Sequence, residues 1–469
     1  MLTYDFENRG KKSLYEYLYN CIKDDILSGK IKAGEKLPSK RQMAKNHGIS
    51  VITVENAYAQ LVVEGYIYAE EKKGYFASEI SNQYIDGPKE IPQKSDKKEK
   101  QEQKQWLVNF DSYHIMYDSF PFSTWTKIMR QTLLDREYAF LKKPEQNGVI
   151  ELRKSISENL IHFRGMDVNP DNIIVGAGTE YLYTIIVQLL GRNSTIAVED
   201  PGYQKIGKVY ESNGVKCKHV PIDKSGFNPK HLEKTKVDAI HISPSHHFPT
   251  GRVMPMPRRQ QLINMARKNN SYIIEDDYDS EFRFQGRPIP TMFGMDKEHV
   301  IYMNTFSKTL APSIRIAYMI LPDELMKKFH DKLSFYSSTV SGFEQYTLAN
   351  FISKGYYERH INRMRNYYRD YRNKIIGAIN QSGLYNKVTI EEENAGLHFI
   401  LGIDENVNPK RFQKILKNNN INISSVSDYC YNNPKKFNHK FIINYSAVPQ
   451  ESLEKALAIM SEALDKASL

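Results

Sequence analysis

Residues 79–105 decide how this chain can be organised. From Glu79 to Gln105 the sequence is almost wholly Lys, Glu, Gln, Asp, Pro and Ser. Such a stretch cannot bury enough apolar surface to offset the entropy of ordering it, so it reads as a charged flexible linker. It divides the 469 residues into unequal parts, each needing its own core. Residues 1–78 predict a compact helical unit ending in a small hairpin. From Trp106 onward, short apolar runs alternate with amphipathic helices. That rhythm predicts an α/β domain with a mainly parallel sheet.

Charge is informative only locally. The net charge is +10, yet residues 1–78 hold 12 basic and 10 acidic side chains, and most of the excess lies beyond residue 105. Within the N-terminal unit, Arg9–Lys45 carries 10 basic against 4 acidic residues, the concentration that nucleic acid would meet. The three cysteines, Cys21, Cys217 and Cys430, are isolated. They exclude a disulfide scaffold and a cysteine-rich zinc site, and they fit a reducing cytoplasm. No run approaches the roughly 20 apolar residues that cross a bilayer, and the acidic start lacks a signal-peptide core. A cytoplasmic protein without a membrane partner is expected.

In the N-terminal unit, Leu14, Leu18, Ile22 and Ile26 keep helical spacing until Gly29. Ser39 is placed to cap a second helix ending near Gly48, and Ser50 to cap a third. Val54, Ala57, Tyr58, Leu61 and Val62 form the third helix's apolar stripe. Tyr66–Tyr68 and Tyr75–Phe76 flank Glu-Glu-Lys-Lys-Gly74 as a wing. Three helices and a wing make a winged helix-turn-helix. Ser50, Val51, Thr53, Glu55 and Asn56 would enter the major groove. Ser39, Lys40 and Arg41 would meet phosphate, and Lys72, Lys73 and Gly74 would bring the wing to the backbone. A three-helix interaction module with a solvated basic face has the same pattern.

In the C-terminal domain, Ile173–Val175, Thr195–Val198, Ala239–Ile242, Tyr272–Ile274 and Val300–Met303 are strand-like, and polar residues follow each run. Ligands of open α/β sheets collect at the carboxyl ends of strands. Gly176–Thr179, Glu199–Tyr203, Ser243–Gly251, Asp276–Tyr278 and Thr305–Lys308 are therefore expected to converge on one crevice. Gly176-Ala-Gly-Thr179 opens a helix whose N–H groups could take phosphate, although a plain turn reads the same. It matches neither a Walker loop nor a dinucleotide fingerprint. Glu275-Asp-Asp277 reads as a functional strand end, a solvated acidic loop or a metal site, and His246-His247 as loop polarity. Together the parts suggest pyridoxal phosphate (PLP), which needs an amine, a carboxylate, a phosphate cup and a stacking aromatic.

The motifs also resemble known families. Ile26–Arg41, Gly48–Val54 and Leu61–Tyr66 are similar to the GntR-type winged helix. Asn304-Thr-Phe-Ser-Lys308-Thr-Leu-Ala-Pro-Ser-Ile-Arg315 resembles the lysine segment of class I aminotransferases, PLP fold type I. Glu199-Asp-Pro-Gly-Tyr203, Pro244–Gly251 and Glu275–Phe282 resemble the companion motifs of MocR-type regulators, which fuse the two. The resemblance implies a multidomain chain: winged helix 1–78, linker 79–105, and an aminotransferase-like domain 106–469. Its large part would span about 140–330 and its smaller α+β part about 331–469 with the N-terminal segment.

By the same resemblance, Lys308 would hold PLP as an aldimine, Asp276 the pyridine nitrogen and Tyr278 the ring hydroxyl. Tyr203 would stack on the ring. Gly178, Thr179, Thr305, Ser307 and Arg315 would form the phosphate cup. A head-to-tail homodimer on a DNA operator is implied, with PLP itself or an amine as effector, PdxR-type members being the model for the first.

Several positions depart from the pattern. Val51 stands where many relatives have Arg, which removes a bidentate guanine contact. Ile442 stands where aminotransferases bind the substrate carboxylate with Arg, and Phe248 where an Asn assists the ring hydroxyl. Lys205, the effector candidate, replaces an Arg. The expected function is a PLP-dependent transcription regulator of vitamin B6 or amino-acid metabolism. An active aminotransferase carrying a DNA-binding domain, and a degenerate domain serving only to dimerise, are the alternatives.

Overall fold

Leu18, Ile22 and Ile26 line the buried face of α1 (Leu14–Leu27), four residues apart as one helical face demands. The computed structural model describes residues 3–10, 12–80, 106–111, 120–284, 289–446 and 448–468. Contacts divide it into two units, Met1–Gln103 and Lys104–Leu469. The expected linker lies, from residue 81 on, outside the described residues.

In the first unit, Ser39 Oγ accepts the Gln42 N–H and starts α2 (Lys40–His47), which Gly48 ends at φ 63°. Ser50 Oγ accepts the Thr53 N–H and starts α3 (Val51–Val63). Val54, Ala57, Tyr58 and Leu61 are fully buried, but Val62 is exposed. Eight residues beyond Val54 it has turned about 80° off the buried line. Strands Ile67–Glu70 and Gly74–Ala77 pair antiparallel as the wing. Ile80 still packs against this core, so the ordered unit continues past residue 78.

The second unit is built on an eight-stranded sheet. In spatial order its strands are Ile173–Gly176, Ala317–Ile320, Val300–Thr305, Tyr272–Asp276, Ala239–Ile242, Thr195–Asp200, Lys216–Asp223 and Gly226–Phe227. The central five run parallel; Ala317–Ile320 and the short Gly226–Phe227 run antiparallel. Alternation feeds two cores. Val175, Ala197, Ile240, Ile273 and Tyr302 face one side, and Ile174, Ile196, Ala239, Ile274 and Ile301 the other. Both faces are covered, as a parallel sheet requires.

A four-stranded antiparallel sheet (Val388–Glu391, His398–Ile403, Lys440–Asn444, Ser424–Ser425) carries a third core, which includes Val108 and Phe110. Val108–Asn109 pairs with Ile421–Asn422, so the segment entering this domain is stitched into its smaller part. The large core differs from the expected 140–330. It takes in Ile128 from helix Phe122–Asp135 and runs on through Leu348, Phe351 and Ile361. Helix Gly342–Ser353 packs its apolar side on the large part, and the smaller core resumes only at Met364.

Candidate functional site

Alternation along strand Tyr272–Asp276 sorts three consecutive acids. Glu275 accepts the N–H groups of Met292 and Phe293, both at 2.9 Å, on one face of the sheet. Asp277 pairs with Arg164 at 2.8 Å and accepts the Tyr302 hydroxyl at 2.7 Å. Asp276 turns to the other face. Its Oδ2 accepts the Tyr183 hydroxyl at 2.9 Å and lies 3.3 Å from His241 Nε2, whose ring continues to Tyr210 Oη at 2.8 Å. Its Oδ1 is buried without a hydrogen-bond partner. The three acids are buried and do not form a solvated loop, and among the described residues no group of three or more His, Cys, Asp or Glu is placed to hold a metal.

A cavity of about 250 Å³ opens over that carboxylate. Gly178, Thr179, Tyr203, Lys205, Asp276, Tyr278, Thr305, Ser307, Lys308 and Arg315 all line it. Every expected residue of this domain is therefore brought to one place, at the carboxyl ends of the parallel strands. Burial pulls the Lys308 amine from its usual 10.5 down to about 8, with Asp279 opposing. An amine so shifted is a better nucleophile near neutral pH.

The loop around Gly178 is built for close approach. Gly178 has φ 90°, and a Cβ there would lie 2.5 Å from the Arg315 guanidinium. It precedes helix Thr179–Leu190, whose first N–H groups face the cavity end of the sheet. Ser307 N–H donates to Thr305 Oγ1 at 3.2 Å, and this shapes the turn before Lys308.

Four features are not evident from the motifs. Glu180 sits beside the loop, bonded to Arg315 at 2.8 Å and to Lys205. Burial raises its carboxyl, but Lys205, its own N–H and Arg315 outweigh that and hold it at about 2. Tyr183 and His241 orient Asp276. The signals were a tyrosine one turn after Thr179 and a single polar residue in the run Ala239–Ile242. His246 and His247 are buried, contrary to loop polarity: His246 Nδ1 faces Asp279 at 2.9 Å and Tyr278 Oη at 3.3 Å, and His247 Nδ1 faces Thr250 Oγ1 at 2.7 Å. Ile442 is buried in an apolar cluster with Phe248, Ile400, Val426 and Phe437.

In the N-terminal unit Arg41, Ser50, Val51, Asn56 and Lys72 are exposed. Ser39 and Ser50 serve as helix caps, and Thr53 Oγ1 lies 2.8 Å from Ser50 Oγ. Lys40 is paired with Glu55 at 2.6 Å across α2 and α3, and Lys73 with Glu70 at 2.9 Å in the wing, next to Gly74 at φ 116°.

Residues 14–76 match the family model "Bacterial regulatory proteins, gntR family", and residues 107–459 match "Aminotransferase class I and II". The HTH-type transcriptional regulator YdeL of Bacillus subtilis is 39% identical, covering 90% of this chain and 91% of that one.

The chain belongs to the MocR-type transcriptional regulators, a GntR helix-turn-helix fused to an aminotransferase domain.

Other MocR-type relatives agree over nearly their whole length. The probable rhizopine catabolism regulatory protein MocR of Rhizobium meliloti is 28% identical, covering 95% of this chain and 92% of its own. The pyridoxine biosynthesis regulator PdxR of Corynebacterium glutamicum is 26% identical, covering 96% of each. The crystal structure of an archaeal alanine:glyoxylate aminotransferase superposes with a TM-score of 0.69 at 21% identity, covering 78% of this chain and 92% of that one. It establishes the fold of the aminotransferase domain, whose family binds PLP. No helix among the described residues of this MocR-type chain is long and apolar enough to cross a membrane.

Proposed function

We propose that this regulator binds PLP in the Lys308 cavity and that its grip on DNA answers to what occupies that cavity. The observation that carries the reading is Asp276: one oxygen is held by Tyr183, while the other is buried with no donor, in the cavity that the half-buried Lys308 also lines. A buried carboxylate oxygen without a partner is costly, and a pyridinium N–H would satisfy it.

The other residues fit the same group. Gly178, Thr179, Thr305, Ser307 and Arg315 would hold its phosphate on helix N–H groups, hydroxyls and a guanidinium. Tyr203 would cover the ring, and Tyr278 would reach the ring hydroxyl from its place beside His246. Bound there, PLP supplies an aldehyde that reacts reversibly with amines and an electron-withdrawing ring. Lys308 offers the amine, burial keeps much of it uncharged in mildly alkaline solution, and Asp276 would turn its unpartnered oxygen to the ring nitrogen.

DNA would be met by the exposed Arg41, Ser50, Val51, Asn56 and Lys72, with Ser39, Lys40, Thr53, Lys73 and Gly74 supporting that face. A homodimer, head-to-tail as the resemblance implies, would set two such heads on an operator of two half-sites. Leu134, Tyr138, Leu141, Phe335 and Phe343 are all exposed, and Phe140 stacks on Phe343, so these segments form the kind of apolar surface that subunits cover. The effector is PLP itself or an amine reaching Lys308. The intact Lys308–Asp276 pair also favours a second reading, slow transamination. Ile442 opposes fast turnover on α-amino acids, because an apolar side chain cannot replace the bidentate carboxylate contact of Arg.

Visible absorbance of the full-length chain titrated with PLP, alongside operator-shift assays, tests the proposal. Wild type is expected to gain the bound-cofactor band and change its DNA affinity, and Lys308→Ala to do neither. Steady-state transamination at metabolic rates without sequence-specific DNA binding would reverse the reading.

A further inference from the structure

A second cavity, of about 260 Å³, lies on the other side of Tyr203. It shares Tyr203, Ile206, Ser243 and Phe248 with the Lys308 cavity, so the two are neighbours across a common wall. Six rings line it: Tyr203, His219, His241, Phe248, Tyr429 and Tyr431. An apolar protein cavity of about 150 Å³ already admits benzene.

The first sign that this space is built is Gly207. It lies inside helix Gln204–Ser212, where glycine costs about 1 kcal/mol relative to alanine. Its φ is not in the left-handed region, and a Cβ there would meet nothing nearer than His219 at 3.4 Å. Neither backbone geometry nor close packing calls for glycine. Its absent side chain leaves room before the His219 ring.

The second sign is the cover. Tyr431 lies flat on His219, with ring centroids 3.8 Å apart and planes 1° from parallel, although it is 69% exposed. Its loop is pinned from beneath. Asp200 accepts the N–H groups of Tyr431 at 2.8 Å and Asn432 at 2.9 Å, and the Asn432 side-chain amide at 3.0 Å. The lid thus comes from the smaller part of the domain and is fastened to a strand end of the larger part. Whatever fills the space touches both.

The third sign is charge. Glu211 contributes a half-exposed carboxylate and Glu199 a buried carboxyl that desolvation pushes up to about 8, and among the described residues of the lining the one Lys or Arg is the exposed Lys208. The shared wall residue Phe248 continues into the apolar cluster of Ile442, Val426 and Phe437. A ligand carboxylate brought here would be desolvated beside acids with no buried cation to meet it.

We propose that this cavity receives the apolar, preferably aromatic, tail of a primary amine that carries no carboxylate, while its amino end reaches the Lys308 cavity past Tyr203 and Phe248. The inference rests on the cofactor reading of Lys308 and names the effector class for it. Ring-on-ring contact and ammonium attraction to Tyr and Phe faces supply the recognition.

Calorimetry of the full-length, PLP-loaded chain with phenylethylamine, phenylalanine and methylamine tests it. Phenylethylamine is expected to bind about tenfold or more tightly than either of the others. Gly207→Leu fills the space and Tyr431→Ala removes the cover. Each is expected to reduce phenylethylamine to the level of methylamine and to leave the bound-cofactor absorbance unchanged. Phenylalanine binding as tightly as phenylethylamine, or no response to either variant, overturns the proposal. A wild-type chain without the bound-cofactor band would instead defeat the Lys308 reading. The cofactor-free chain then still reports on the cavity, since equal phenylethylamine binding by wild type and Gly207→Leu overturns it.

Discussion

The Tyr183 hydroxyl donates to Oδ2 of Asp276 over 2.9 Å and leaves Oδ1 of the same buried carboxylate for another donor. The two oxygens thus have separate tasks, one positional and one ligand-directed. Asp276→Ala is expected to weaken PLP by about 10- to 100-fold, the scale of a charge-assisted hydrogen bond. Tyr183→Phe removes only the support and is expected to cost a few-fold. Absorbance titration of each variant measures both.

Lys308 sets a pH dependence. Its amine titrates near 8 in the fold instead of 10.5, so the rate of PLP capture is expected to climb with pH and level off above about 8. Stopped-flow absorbance across pH 6–10 checks the midpoint. Stability follows the same linkage. Between about 8 and 10.5 the unfolded chain binds the proton that the folded chain has lost, so stability rises with pH through that window. Below 8 the full cost of burying a charged amine remains. Lys308→Met is expected to raise the melting temperature of the cofactor-free chain at pH 7, with the gain shrinking towards pH 10.

Glu180 would compete for Arg315, the cation of the proposed phosphate cup, and for Lys205, the effector candidate beside it. It holds Arg315 and Lys205 at once, so an incoming phosphate would have to share Arg315 with it. Glu180→Gln keeps the shape and removes the charge. It is expected to tighten inorganic phosphate by a few-fold at low salt and by less at high salt, as partly exposed pairs are screened. Competition against PLP gives the number.

The proposed DNA face would make two kinds of contact. Arg41→Ala is expected to weaken all operators about equally and to lower the salt slope by about one. Asn56→Ala is expected to relax base preference at one position by about 1–3 kcal/mol. Fluorescence anisotropy at several salt concentrations, on operator and scrambled DNA, distinguishes them.

Much of this architecture was legible because it is local. Ser39 and Ser50 announce α2 and α3 as caps, and the five apolar runs ending at Val175, Val198, Ile242, Ile274 and Met303 all proved to be strands of one sheet. Period-two alternation even decides which of Glu275, Asp276 and Asp277 faces the cavity. What stayed hidden depends on distant partners. Ala317–Ile320 enters the sheet reversed between two strands, a pairing no local pattern encodes. Glu180 gains its role only because Arg315, 135 positions away, folds back against Gly178. His246 looks like loop polarity until Asp279 and Gly396 close around it. The place of helix Gly342–Ser353 in the core of the larger part, beyond the expected limit near residue 331, also rests on distant partners.

Ile442 carries a last consequence. Buried with Phe248, Val426 and Phe437, it would, by the resemblance to aminotransferases, put hydrocarbon where a turnover enzyme anchors its reactant. A catalyst must release what it has altered before it can act again; a protein that only holds its guest need not alter it. On the reading proposed above, its output would follow how much of the compound surrounds it, not how fast any reaction runs, and the old scaffold would work as a gauge.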